Sequence, residues 1–268
     1  MSRVPKLLSV IIPAYHQEKT IKEDITEILI ALSHLEDISF EIIVVVDGMM
    51  QDKTFERAKE IRKENLRIVG YEHNRGKGYA VRYGMARSKG DLIAFIDAGS
   101  DIKPEGISMM ISHFRWYNAD IVIGSKRHPV SKVNYPWYRK IISFVYQLIV
   151  KVLFGLSIRD SQVGLKLFRR QVLEDVLPRL LVKRFAFDIE MLAVARSLGY
   201  SRIFEAPVEL DFSAQSSLTS VKLWREIASV LWDTVAVFYR LRILRYYDAT
   251  NKRRWRYDPE LNFRINLP

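Results

Sequence analysis

An α/β fold is the class this sequence predicts: a mostly parallel sheet flanked by helices. Three observations carry it. Short apolar runs rich in Val and Ile recur along the first half, segments of helical periodicity separate them, and several runs stop at Asp, Gly or Pro. Strands alternating with helices imply right-handed crossovers between parallel neighbours. The strands are expected at Leu8 to Ile12, Phe40 to Val46, Leu66 to Tyr71, Leu92 to Ile96 and Ile121 to Gly124. Helices are expected between them at Ile21 to His34, Asp52 to Glu64, Tyr79 to Ser88 and Glu105 to Trp116. The second half reads as more helical, with Tyr138 to Phe154, Arg170 to Leu177, Asp188 to Leu198 and Val221 to Leu241. Beyond Asp248 the residues are charged and aromatic without a clear period. The first apolar run predicts a strand rather than a secretory signal, because no small-residue cleavage site follows it.

Composition narrows the function. A hydrophobic share of 49% over 268 residues is ample for a packed core. The absence of cysteine removes disulfides, thiolate metal sites and thiol nucleophiles together, and suits a reducing compartment. A net charge of +11 calls for an acidic partner. The net positive charge concentrates in the second half beside segments rich in Trp, Tyr and Phe, a mixture that fits a membrane surface rather than a nucleic-acid groove. Tyr138 to Phe154 and Val221 to Leu241 are amphipathic with wide apolar faces, and neither has the roughly 20 uninterrupted apolar residues of a spanning helix. Such helices either pack on the sheet or lie in a membrane interface. The second reading is preferred because the Arg and Tyr cluster at 239–247 otherwise has no partner, and it puts Trp224, Trp232, Tyr239, Arg240, Arg242 and Arg245 at head-group depth.

Asp91 to Asp101, DLIAFIDAGSD, is an apolar strand that ends in Asp97 and Asp101. Carboxylates at the carboxyl end of such a strand either make an ordinary turn or hold a divalent cation and a phosphorylated ligand. Pro13, Ala14, Tyr15 and Gln17 follow the first strand, and Asp47 and Gly48 follow the second, on the same expected edge. There Asp47 is placed to accept from a nucleobase or a ribose hydroxyl, and Tyr15 to stack on a base. In Asn74 to Gly78, NRGKG, two glycines bracket Lys77 just before a helix, so backbone N–H groups and an ammonium face one ligand. The spacing matches neither GxGxxG nor a Walker A loop. Asp160, Gln162 and Lys166 in DSQVGLK either form a site or belong to a solvated loop, and Asp188 in FAFDIE is either functional or a helix cap.

Taken in order, IIPAYHQEKTI, VVVDG, NRGKGYAVRYGM, the strand ending in Asp97, IVIGSKR, RDSQVGLKLFRR, RFAFDIEML and APVEL resemble the motifs of family 2 glycosyltransferases with the GT-A, Rossmann-like fold. The likeness runs from about residue 7 to 245 and is nearest to the polyprenyl-phosphate branch, dolichyl-phosphate glucosyltransferases and dolichyl-phosphate mannose synthases. It implies a catalytic domain over 1–220 and an amphipathic interface helix with a basic, aromatic tail over 221–268. It implies a nucleotide pocket at Pro13, Ala14, Tyr15, Gln17, Asp47, Lys77, Asp97 and Ala98, and a DxD metal element beginning at Asp97. Lys126 and Arg139 are the implied acceptor-phosphate contacts, and Asp160, Gln162 and Lys166 the loop that closes over the donor diphosphate. The implied partners are a nucleotide sugar, a Mg²⁺ or Mn²⁺ ion and a polyprenyl or dolichyl phosphate. The implied place is the cytoplasmic face of a membrane, where the protein sits peripherally.

Three departures from the family pattern stand out. Gly99 takes the position of the second DxD carboxylate, His16 and Gln17 replace Asn and Glu of PxYNE, and the segment Ser216 to Thr219 lacks the family's lysine. Asp101 is the candidate replacement metal ligand and Gln162 an auxiliary one. The expected reaction is inverting hexosyl transfer, with UDP-glucose favoured over GDP-mannose. A phosphate acceptor has a second pKa of about 6 and needs no general base. Two alternatives stay open: a hydroxyl acceptor, for which Asp188 is the base, and an inactive nucleotide-sugar-binding relative.

Overall fold

The computed structural model describes residues 5–99, 102–131, 137–182, 186–209, 220–248, 251 and 255–266, without the side chains of 137–141, 220–227 and 266. The chain opens with β1 (Leu7–Ala14), α1 (Ile21–Ser33), β2 (Ser39–Asp47), α2 (Thr54–Lys59), β3 (Leu66–Tyr71) and α3 (Lys77–Met85). Next come β4 (Leu92–Ile96), α4 (Gly106–Trp116), β5 (Ile121–Ser125), α5 (Trp137–Phe154), β6 (Leu165–Arg169) and α6 (Arg170–Val176). It closes with α7 (Phe187–Ser197), β7 (Ile203–Pro207), α8 (Ser220–Phe238) and a hairpin of β8 (Trp255–Asp258) and β9 (Phe263–Asn266).

The main sheet has seven strands in the order β3-β2-β1-β4-β6-β5-β7. All neighbours are parallel except β6, which runs antiparallel between β4 and β5. Near-continuous Val and Ile in β1, β2 and β4 follow from burial on both faces. Ile11, Val45 and Phe95 face a core shared with Tyr79 of α3 and Phe187 of α7. Val10, Ile12 and Val44 face the opposite core, shared with Ile25 of α1 and Phe114 of α4. Each such fully buried side chain is worth about 1.5–3 kcal/mol, which makes this frame the stiff part of the molecule.

Four features differ from the sequence-based expectation. The second helix stops at Lys59, because the following IRKEN offers only Ile61 to bury. The short strands β6 and β7 add to the five expected. The region after Asp248 contains a hairpin, and its Leu261 is fully buried in the core beside α3. Finally, the 239–247 cluster does have an internal partner. Tyr247 is buried and its hydroxyl donates to Glu190 Oε1 at 2.7 Å, and Arg240 lies 4.0 Å from the same oxygen. Arg240 therefore turns inward, away from head-group depth. Burial pushes the Glu190 carboxyl up, against the lowering effect of Tyr247 and the N–H groups of Val182 and Leu181. No helix among the described residues is long and apolar enough to cross a membrane.

Candidate active site

Parallel, in-register pairing of β1 with β2 and β4 brings Ala14, Asp47 and Asp97 to one sheet edge. Strand order reverses there, between β1 and β4, and open α/β sheets bind ligands at such a switch point. The Ala98 N–H donates to the Pro13 carbonyl at 3.4 Å, closing the two strand ends on each other. Tyr15 is exposed at the lip, and the Gln17 N–H donates to Thr54 Oγ1 at 2.9 Å.

Asp47 has a different occupation from the one expected. Oδ1 accepts from the Arg75 N–H at 2.7 Å, and Oδ2 accepts from the Gly76 N–H and Asn74 Nδ2, both at 2.9 Å. Its buried carboxylate thus shapes the NRGKG loop rather than standing free for a base. Sequence reasoning missed Asn74 and Arg75 as its partners. The Gly in NRGKG was the available signal, because a glycine before a helix marks a tight loop whose N–H groups need an acceptor.

That loop delivers Lys77 to a row of alternating charges. Lys77 Nζ lies 2.8 Å from Asp97 Oδ2 and 3.4 Å from Asp188 Oδ2, and Lys166 Nζ lies 2.6 Å from Asp188 Oδ1. Lys166 is 0% exposed and also donates to the Val163 carbonyl at 2.6 Å. Lys166, expected in the loop that closes over the donor diphosphate, thus has its ammonium buried against Asp188. The cap position of α7 is Ala186, so Asp188 is not the helix cap. Burial alone would raise its pKa, but Lys166 and Lys77 outweigh burial and hold the carboxyl below the usual range. Burial likewise works against charge on Lys77, but Asp188 and Asp97 hold it above the ordinary lysine value. For Lys166 burial prevails, and its pKa is lowered.

Asp97 owes its position to a glycine. The Asp97 N–H donates to the Gly164 carbonyl at 3.0 Å, and a Cβ on Gly164 would stand 2.2 Å from Asp97 Oδ2. The other carboxylate oxygen, Oδ1, is buried with no hydrogen-bond partner among the described residues. An orphaned carboxylate oxygen beside a cationic side chain fits a divalent cation, which needs only one or two protein carboxylates when phosphates and water complete its shell. Among the described residues no group of three or more His, Cys, Asp or Glu is arranged to hold a metal by itself. Gly99 has φ +61°, and a Cβ there would meet Gln17 Oε1 at 2.4 Å. Two of the departures from the family pattern are thus neighbours in space. Asp101 lies outside the described residues.

Asp160 Oδ2 accepts from the Lys126 N–H and Oδ1 from the Gln162 N–H, both at 3.3 Å. Burial raises its pKa, against the lowering effect of Lys126. Gln162 is exposed, two residues before Gly164, so the DSQVG loop runs directly into the Asp97 contact. Arg139 falls in the first turn of α5 with its side chain outside the described residues.

A switch-point crevice with a carboxylate at the end of β4 and a cation-bearing loop beside it is a candidate ligand site on a GT-A-like sheet. Residues 9–177 match the Glycosyl transferase family 2 model, and the chain belongs to that family. A dolichyl-phosphate beta-glucosyltransferase of Drosophila melanogaster is 34% identical over 206 residues, 71% of this chain and 63% of that protein. The chain thus spans just under two thirds of that relative. A Homo sapiens protein of the same name is 30% identical over 257 residues, 89% of this chain and 76% of that protein. Among solved structures, glucosyl-3-phosphoglycerate synthase from Mycobacterium tuberculosis, in complex with Mn²⁺, UDP and phosphoglyceric acid, superposes with a TM-score of 0.65 at 18% identity. That match covers 98% of this chain and 87% of the other. Mannosyl-3-phosphoglycerate synthase from Rubrobacter xylanophilus gives 0.65 at 17% identity, covering 95% and 82%. These structures show the fold.

Proposed function

We propose that this family 2 glycosyltransferase moves glucose from UDP-glucose onto dolichyl or another polyprenyl phosphate, with inversion, at the cytoplasmic face of a membrane. The carrying observation is Asp97, with one oxygen on Lys77 and the other buried without a hydrogen-bond partner among the described residues. The names of the sequence relatives support the sugar and the acceptor, and the Mn²⁺ and UDP of a fold neighbour support the cation and the donor.

In this reading Asp97, with Asp101 or Gln162 as a further ligand, holds Mg²⁺ or Mn²⁺, which when bound offsets charge on the departing diphosphate. Lys77 adds a positive charge at the same edge and is kept ionised by its two carboxylates. Lys166 fixes Asp188, and Asp188 fixes Lys77, so the ammonium is held in place before a donor arrives. Pro13, Ala14, Tyr15, Gln17 and Ala98 form the wall for the nucleotide, while Asp47 holds the loop opposite. Lys126 and Arg139 bind the acceptor phosphate. Asp160, through its bonds to Lys126 and Gln162, shapes the loop between acceptor and donor.

The phosphate acceptor is favoured over a hydroxyl one by Asp188 itself. A carboxylate held by two lysines and depressed in pKa is a poor general base, whereas a phosphate monoester requires none. Exposed apolar side chains support a surface for the lipid tail: Phe144, Leu148 and Val152 on α5, and Trp232, Tyr239 and Ile243 in the α8 region. The domain division at residue 220 is read functionally in this light, with catalysis before it and interface helix and tail after it. The test is a comparison of polyprenyl phosphate with the matching polyprenol under labelled UDP-glucose or GDP-mannose. Label in the phosphate reaction alone supports the proposal; transfer to the alcohol supports the hydroxyl reading, and no transfer from any donor supports an inactive relative.

A further inference from the structure

The hairpin near the end of the chain lies outside the matched family region, yet its turn reaches the donor loop. Asp258 Oδ1 accepts from the N–H groups of Glu260 and Leu261 at 2.9 and 3.1 Å, which sets the turn and aims Glu260 outward. Leu261 is buried in the core and Phe263 and Ile265 pack against it, so the turn is anchored from below. Glu260 then grips Arg75 through both carboxylate oxygens, with Arg75 Nη2 3.1 Å from Oε1. Tyr79 of α3 donates to Oε2 at 2.5 Å, and Arg75 Nη1 donates to the Tyr79 hydroxyl at 2.7 Å. The Glu260 carbonyl accepts from Arg87 Nη2 at 2.8 Å, and the Arg75 guanidinium lies 4.8 Å from the Tyr79 ring centre. A bidentate guanidinium–carboxylate pair fixes orientation as well as charge.

Arg75 is therefore held at both ends. Its backbone N–H is bound by Asp47 from the sheet side, and its side chain by Glu260 from the hairpin side. Lys77, two residues on, carries the ammonium that meets Asp97. Without Glu260 the loop keeps its anchor to the sheet, while the Arg75 side chain loses its carboxylate partner and keeps only Tyr79 of the lateral contacts named above.

We infer that Glu260 is a positioning residue for donor binding, acting through Arg75 to hold the 74–77 loop and Lys77 in place for the nucleotide diphosphate. The inference rests on the donor reading above and extends it to a segment with no part in the chemistry. Ordering a loop beforehand lowers the cost of binding, so the effect falls on donor affinity and not on the transfer step.

The test uses the full chain and its Glu260→Ala, Arg75→Ala and doubly substituted forms, at a temperature where all are folded. It measures UDP binding by calorimetry with Mn²⁺ present, and donor KM and kcat by transfer. Glu260→Ala should weaken UDP binding and raise donor KM about tenfold with kcat within about twofold, and Glu260→Gln should recover part of the loss. The double substitution should be no worse than the more impaired single one, since both remove the same contact. UDP affinity within about twofold of the parent in Glu260→Ala, whatever its melting temperature, overturns the inference, as does a loss confined to kcat. A parent chain that binds neither UDP nor GDP overturns the donor reading instead. In that case hydrogen exchange at amides 75–77 decides: faster exchange in Glu260→Ala upholds the positioning role, and unchanged exchange overturns it.

Discussion

Substituting Gly164 by Ala tests whether the position of Asp97 governs catalysis. The added Cβ would stand 2.2 Å from Asp97 Oδ2, 2.6 Å from its Cγ and 3.0 Å from its Cβ, where ordinary contact begins at 3.4 Å. Rotation of the carboxylate relieves the first two contacts but not the third, so Asp97 must retreat as a whole, by roughly 1 Å at the carboxylate. A misplacement of about 1 Å at a reacting centre costs about 100-fold in rate, or about 2.7 kcal/mol of transition-state stabilisation. The assay is the initial rate of labelled hexose entering the organic phase, with melting temperature measured alongside. Gly106→Ala is the control, because a Cβ there meets Leu165 at an ordinary 3.6 Å. Gly164→Ala should lose about 100-fold in kcat/KM while staying folded, and Gly106→Ala should lose little. Full activity in folded Gly164→Ala would refute the reasoning that Asp97 must sit where it does.

Other outcomes follow from the same geometry. Lys166→Met leaves Asp188 buried with only Lys77 at 3.4 Å, and should cost about 3–5 kcal/mol of stability, read by denaturant unfolding. Trp232→Asp combined with Val152→Asp changes two exposed side chains, so melting temperature should hold while co-sedimentation with anionic vesicles falls about tenfold or more. Hydrogen bonds from Arg75, then from Tyr79, hold the Glu260 carboxyl below its ordinary value of 4.5. A depressed acid contributes stability above its unfolded pKa and loses it as pH falls through the lowered folded value. Amide protection at 75–77 should therefore be constant from neutral pH down to about 5 and diminish below 4.5 in the parent, with no such change in Glu260→Gln.

What the sequence made legible was whatever depends on local pattern. Apolar, mostly β-branched runs marked β1 to β5, most plainly β1, β2 and β4, whose burial on both faces leaves room for little else, and the residues after β1, β2 and β4 marked the ligand edge. β6 escaped because Lys166 sits inside a five-residue strand, where a charge reads as loop. The carboxylate that makes its burial tolerable, Asp188, is 22 residues further on. The same distance hid the Lys166–Asp188 pair, since a cation beside Asp160 and Gln162 reads as part of their loop. Asp47 was rightly placed at the edge, but its partners Arg75 and Gly76 lie 28 and 29 residues away and come together only through the β2–β3 pairing. The hairpin was illegible because Trp255 and Tyr257 are exposed and only the short alternation Leu261, Phe263, Ile265 marks its anchored face. The meeting of Gly99 with Gln17 needed coordinates as well: each looked like an isolated departure until the two shared one volume.

The most direct measurement is transfer of labelled glucose from UDP-glucose to dolichyl phosphate by the purified chain, with Mg²⁺ or Mn²⁺, with chelator, and with Asp97→Ala. The account predicts organic-phase label that requires the cation and disappears in folded Asp97→Ala. Undiminished transfer by Asp97→Ala, or none by the parent with any donor and either cation, would contradict it.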